Sequence, residues 1–182
     1  MTRAEVEHVI RAGADAVRGE EFVIVGSQAV LAQFPNAPAA LLRSMEADIY
    51  PASDPARAVE IDGALGEGSP FHDTFGYFAR GVGPQTAKAP AGWESRLIPV
   101  VVEHPSTGRE AIARCLEIHD LVLSNCVAGR ARDYEFTEEA LRAGLADSDV
   151  LLSRVPDLPV ARRERDRVEK TVQGIISKVG GL

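Results

Sequence analysis

The run Phe22-Val23-Ile24-Val25 leading into Gly26-Ser27 constrains this chain more than any other segment. A short apolar run stopped by glycine reads as a buried strand ending in a tight turn. Further along, Met45-Glu46-Ala47-Asp48-Ile49-Tyr50 alternates in the manner of a second strand. Side chains of a strand point to opposite faces in turn, so Glu46 and Asp48 are expected on one face while Met45, Ala47 and Ile49 pack the other. Two adjacent carboxylates repel unless a cation lies between them. A small turn that can approach phosphate, together with an acidic pair that can hold a hard divalent ion, is the minimum a phosphoryl-transfer site needs.

Each half of that signal also has a plain structural reading. Strand-glycine-helix junctions arise from tight packing alone, and an isolated Glu-x-Asp can be the wet face of an edge strand. Neither G-x-G-x-x-G nor G-x-x-x-x-G-K-[ST] occurs, so the turn is not a dinucleotide fingerprint or a P-loop. It is the two halves in this order that carry the argument.

The 182 residues suit one domain or two small lobes, and 45% hydrophobic with 26% charged residues is the balance of a water-soluble protein. No apolar run approaches the roughly 20 residues of a membrane span, and the polar start of the chain lacks a signal-peptide core. Cys115 and Cys126 lack metal-type spacing and fit free thiols in a reducing cytoplasm. A net charge of -7 argues against a broad nucleic-acid footprint, so contact with RNA would need a local patch. Arg130 with Arg132 is one such patch. The run Arg162, Arg163, Arg165, Arg167 and Lys170 is interleaved with Glu164, Asp166 and Glu169 and reads as a solvated helix face.

Helical periodicity at Val6, Val9, Ile10, Gly13 and Val17 predicts a helix over residues 3–18. Ser27 opens a short helix that stops before Pro35, and Asp54-Pro55 starts another that runs to about Leu65. Phe71 to Phe78 suggests a β-ribbon turning near Gly81 or Gly83. Arg96 to Glu103 reads as a fully buried strand around Val100, Val101 and Val102, and residues 104–110 as an exposed turn. Helices are expected from about residue 114: 116–128, 133–144, 148–154 and 159–178, the last with Val168, Val172, Ile175, Ile176 and Val179 on one stripe. The fold class is α+β, a mixed sheet with flanking helices followed by a helical lobe.

Five segments in order resemble the nucleotidyltransferase superfamily with the polymerase-beta-like fold, and within it a bacterial branch related to AbiEii-type toxins. They are Val25-Gly26-Ser27-Gln28-Ala29, Ser44 to Pro51, Phe71 to Tyr77, Gly92-Trp93-Glu94-Ser95-Arg96-Leu97, and Cys115 to Leu121 running on to Ala128-Gly129-Arg130-Ala131-Arg132-Asp133. The resemblance implies a nucleotidyltransferase lobe over residues 1–112 and a helical lobe over 113–182 that completes the cleft. It also implies that Gly26 and Ser27 lie against a triphosphate, aided by the amides of the following helix. Glu46 and Asp48 would bind Mg2+ and act in catalysis with Asp133, while Asn125 and Arg130 would contact nucleotide. A third metal carboxylate is expected, with Glu103 the first candidate and Asp73 the second. Relatives place a lysine where this chain has Asn125, which moves the cation role to Arg130 or Arg132, or removes turnover.

The implied reaction moves a nucleoside monophosphate from NTP to a hydroxyl of RNA or protein, in the cytoplasm, as the toxin partner of a cognate antitoxin. The alternative is a degenerate relative that binds nucleotide or a partner without turnover. A hydrolytic triad built on Ser69, His72 and Asp73 lacks the required elbow, and His8, His72, His104 and His119 have no zinc spacing. Trp93 stands alone and reads as a packing residue.

Overall fold

A capping box opens the first helix. Thr2 accepts from the Glu5 amide and Glu5 accepts from the Thr2 amide, satisfying two donors that a bare helix end would leave unpaired. The computed structural model describes residues 1–19 and 21–181. These divide into two units, Met1–Thr86 with Leu97–Leu116, and Ala87–Arg96 with Glu117–Leu182.

The first unit holds α1 (Arg3–Val17), β1 (Glu21–Ile24), α2 (Val30–Gln33), β2 (Glu46–Pro51), α3 (Ala58–Leu65), α4 (Pro70–Phe75), β3 (Phe78–Gly81), β4 (Ile98–Glu103) and β5 (Glu110–Cys115). Among the described residues the strands form one mixed sheet in the order β3-β2-β1-β5-β4. β1 is central, antiparallel to β2 and parallel to β5; β3 runs parallel to β2, and β4 antiparallel to β5. Its position between two strands explains why Phe22, Val23 and Ile24 are all buried. α1 buries Val6, Val9, Ile10, Gly13 and Val17, as the periodicity predicts.

Several expectations need correction. The aromatic segment is not a β-ribbon. Ser69 accepts from the His72 amide and Pro70 occupies the first turn, so α4 is a capped helix. The aromatic spacing at Phe71 and Phe75 is the i, i+4 of a helix face, where both rings pack with His8 and Tyr77. β4 is an edge strand rather than a fully buried one. Val100 and Val102 are covered, but Val101 is 55% exposed. A run of valines signals strand without saying how many faces are covered. β5 occupies the stretch between the expected turn at 104–110 and the helix expected from 116, where the sequence reading assigns no strand. Ala111, Ala113 and Cys115 alternate inward against Glu110 and Arg114, and such small inward residues give a weak apolar signal. Met45 precedes β2 and is 42% exposed, so it does not pack with Ala47 and Ile49.

The second unit is helical, with α5 (Ile118–Ala128), α6 (Ala131–Arg142), α7 (Ser148–Arg154) and α8 (Arg162–Gly180). Asp120 on α5 is fully buried. It accepts from Arg96 Nε (2.8 Å) and Nη2 (3.1 Å) and from Arg154 Nη1 (2.9 Å). Arg154 also donates to Glu117 (2.6 Å). His119 Nε2 accepts the Asp147 amide (2.8 Å), which leaves Nδ1 as the donor to Glu117 Oε1 (2.6 Å). Asp120 sits in the first turn of α5, where the helix dipole favours a carboxylate, and it is also the centre of a buried ion cluster. Along α8, Val168 and Val172 are buried, while Ile175, Ile176 and Val179 are half-covered. Arg167 turns inward from the basic run and donates to Glu164, Tyr134 and the Cys126 and Val127 carbonyls. No helix among the described residues is long and apolar enough to cross a membrane.

Candidate active site

β2 carries the acidic pair as the alternation predicts. Ala47 and Ile49 are fully buried on one face, and Glu46 and Asp48 are half-buried on the other. The ladder between β1 and β2 continues one residue past β1, because the Val25 amide donates to the Asp48 carbonyl (3.0 Å). That bond sets Gly26 directly beside Asp48. A Cβ at position 26 would lie 2.5 Å from Asp48 Oδ2 and 3.1 Å from its Cβ and Cγ. Only a residue without a side chain leaves the carboxylate its present place.

Beyond Gly26 the chain makes a 3-10 turn, Ser27–Ala29, and then the four residues of α2. Ser27 is half-exposed, so its hydroxyl is the side-chain group this turn can offer a phosphate, while the Ala29 amide is already bonded to the Gly26 carbonyl (2.9 Å). The helix expected there is too short for a sizeable dipole, so an anion placed here would depend on local N–H groups. Gln28 lies in the same turn, fully buried, and neither its Oε1 nor its Nε2 finds a hydrogen-bond partner among the described residues.

The strand on the other side of β2 supplies a residue that motif reading overlooked. Phe78 is registered opposite Glu46 and Arg80 opposite Asp48. Alternation therefore puts Arg80 on the same face as both acids. Its Nη1 donates to Glu46 Oε1 at 3.3 Å, and its side chain is 59% exposed. The hydrogen bond to Glu46, followed by the charges of Glu46 and Asp48 and, more weakly, Asp62, pushes the guanidinium pKa further up. Asp62 on α3 accepts the Gly81 amide (3.3 Å). The His72 ring stands 4.8 Å from that of Phe78. The sequence signal for Arg80 was faint: one arginine in Phe78-Ala79-Arg80-Gly81, meaningful only once the strand's register is known.

Glu103 is not brought to the acidic pair. The row Ile49, Ile24, Cys115, Ile98 crosses the sheet. Asp48 lies one step from that row in one direction, whereas Glu103 lies five steps away in the other, three strands across. At about 3.3 Å per residue and about 4.8 Å per strand the separation exceeds roughly 20 Å. Asp73 is exposed on α4. Among the described residues, no three acidic, histidine or cysteine side chains gather to hold a metal ion. Glu46 and Asp48 still fit one Mg2+, which commonly takes one or two carboxylates and completes its shell with water and substrate phosphate.

In the second unit, Asp133 is buried and accepts from the Arg130 amide (3.0 Å), Nε (2.8 Å) and Nη2 (3.3 Å). This pair caps α6. Arg132 is exposed, and Asn125 is half-buried on α5 with its carbonyl accepting the Gly129 amide. Both cysteines are free and buried, and burial raises their thiols, Cys115 to about 12 and Cys126 to about 11, so neither is a nucleophile at neutral pH.

A family model described as a nucleotidyltransferase of unknown function (DUF6036) matches residues 4–173. No curated protein and no solved structure matches the chain.

Proposed function

We infer the activity from one premise: the chain belongs to the nucleotidyltransferase family DUF6036. The proposed reaction moves a nucleoside monophosphate from NTP onto a hydroxyl of RNA or protein. The observation that carries this reading is the seat of Gly26 against Asp48, which joins the turn to the acidic pair. Glu46 and Asp48 would hold Mg2+, which when bound offsets phosphate charge and favours in-line displacement. Gly26 leaves room for the triphosphate to approach, and the Ser27 hydroxyl donates to a phosphate oxygen. The acceptor oxygen forms its bond to the α-phosphorus as the bond to pyrophosphate breaks, and the hydroxyl proton leaves to solvent or a nearby carboxylate. Kinship with AbiEii-type toxins, a cognate antitoxin and a cytoplasmic setting belong to the same proposal.

Incubation with labelled NTP, Mg2+ and total RNA or cell lysate tests it. Wild-type protein is expected to label an acceptor, and Asp48→Ala to lower transfer at least about 100-fold, the scale of losing an electrostatic group from a transition state. Transfer that survives Asp48→Ala would refute the metal assignment.

A second reading is favoured by Arg80, which already pairs with Glu46. On that reading the chain binds nucleotide without turnover. Nucleotide-dependent thermal stabilisation with no labelled product from any acceptor would support it.

A further inference from the structure

The face of β2 that carries the acids is bordered by a cation rather than by another acid. Register and alternation fix Arg80 beside Glu46 and Asp48. Its backbone is held as well. The Gly81 amide is bonded to Asp62, and a Cβ at Gly81 would collide with the Ala58 carbonyl of α3. The Arg80 side chain nevertheless remains more than half exposed. A planar fork of five N–H donors matches phosphate oxygens in pairs, which an ammonium does not.

Paired metal ions in phosphoryl-transfer sites lie about 3.5–4 Å apart and need ligands enough for both. Two carboxylates are present, and one of them already accepts from Arg80. A second divalent ion would have to share that space with a fixed positive charge. Glu46 and Asp48 set against Arg80 leave one net negative charge, so one divalent ion already turns the face positive towards a bound triphosphate, and a second would meet only repulsion.

We propose that the pair takes one divalent ion together with the nucleotide, and that the Arg80 guanidinium is the other positive group on the transferred phosphate. This rests on the nucleotidyltransferase reading and adds the number of ions and the residue that replaces one. Arg80 is then a phosphate-binding residue that trades Glu46 for substrate when nucleotide arrives.

Mn2+ is the probe, counted per chain by electron paramagnetic resonance with a non-hydrolysable NTP analogue present. The wild-type chain is expected to bind one ion. Arg80→Asp completes a carboxylate triad and is expected to bind two. Arg80→Gln is expected to keep one ion and lose at least about tenfold in analogue affinity, the scale of a lost charge-assisted hydrogen bond. Arg80→Lys, which keeps the charge without the fork, is expected to fall between. Circular dichroism melts confirm that each variant is folded. Two ions on the wild type, or analogue affinity unchanged in Arg80→Gln, would overturn the role of Arg80 and leave the nucleotidyltransferase reading standing. No ion on the wild type with analogue present would overturn both.

Discussion

A methyl group on residue 26 would stand 2.5 Å from Asp48 Oδ2, inside any tolerable contact. The contact ties the turn after β1 to the acidic face of β2. Gly26→Ala is therefore expected to rotate the Asp48 carboxylate out of place. Stability should fall by about 1–3 kcal/mol, the usual range for overpacking. Mn2+ affinity should fall at least tenfold while the circular dichroism spectrum is kept. A Gly26→Ala chain that binds Mn2+ as tightly as wild type would show that the close approach has no bearing on the ion.

Gln28 gives a prediction of opposite sign. A fully buried amide with no partner costs about 1–3 kcal/mol. Gln28→Met keeps the length of the side chain and removes both polar atoms. The midpoint of thermal unfolding is expected to rise by a few degrees. An unchanged or lower midpoint would show that the amide is satisfied in solution.

Arg96 and Arg154 converge on Asp120, so truncating one strands part of a buried charge. Arg96→Met is expected to destabilise the chain by about 3 kcal/mol, seen as a lower urea midpoint. Asp120→Asn in the Arg96→Met background should cost less than the sum of the two single changes, because the charge left unpaired is then gone. Additive losses would mean the two residues do not act on each other.

Acid should weaken the fold at Glu117 in a defined window. Burial pushes the Glu117 carboxyl up, but hydrogen bonds from His119 and Arg154 outweigh it and hold the group at about 2, below its ordinary 4.5. A carboxylate depressed in the folded state stabilises it above the unfolded value and loses that contribution as pH falls towards the folded one. The stability difference between wild type and Glu117→Gln should thus be constant above about pH 5 and shrink between pH 4.5 and 2. A difference that does not change across that window would remove Glu117 from the acid transition.

How far the sequence was legible depends on what each residue had to reveal. The strand–turn–acid pattern needed only alternation and glycine chemistry, and Glu46, Asp48 and Gly26 come together as that pattern requires. Arg80 was invisible because its role depends on which strand neighbours β2, a long-range pairing that local periodicity does not encode. Glu103 failed for the same reason. Its strand was found, but the sheet order places that strand at the opposite edge. β5 was missed because alanines carry little apolar signal, and α4 because aromatic residues favour strands when no cap is weighed. The segments around Trp93 and His119 carry part of the family resemblance, and a structural contact joins them, because Arg96 of one grips Asp120 of the other.

The collision that any side chain at residue 81 would suffer with the Ala58 carbonyl has a kinetic corollary. Helix and edge strand meet here with no room for a side chain between them, which ties the backbone next to Arg80 to α3. Whatever adjustment the arginine next door makes must come from rotation about its own methylene bonds, on the picosecond-to-nanosecond scale of exposed side chains. If Arg80 serves a bound nucleotide, its rearrangement would be fast beside the microsecond-to-millisecond motions of lids and domains.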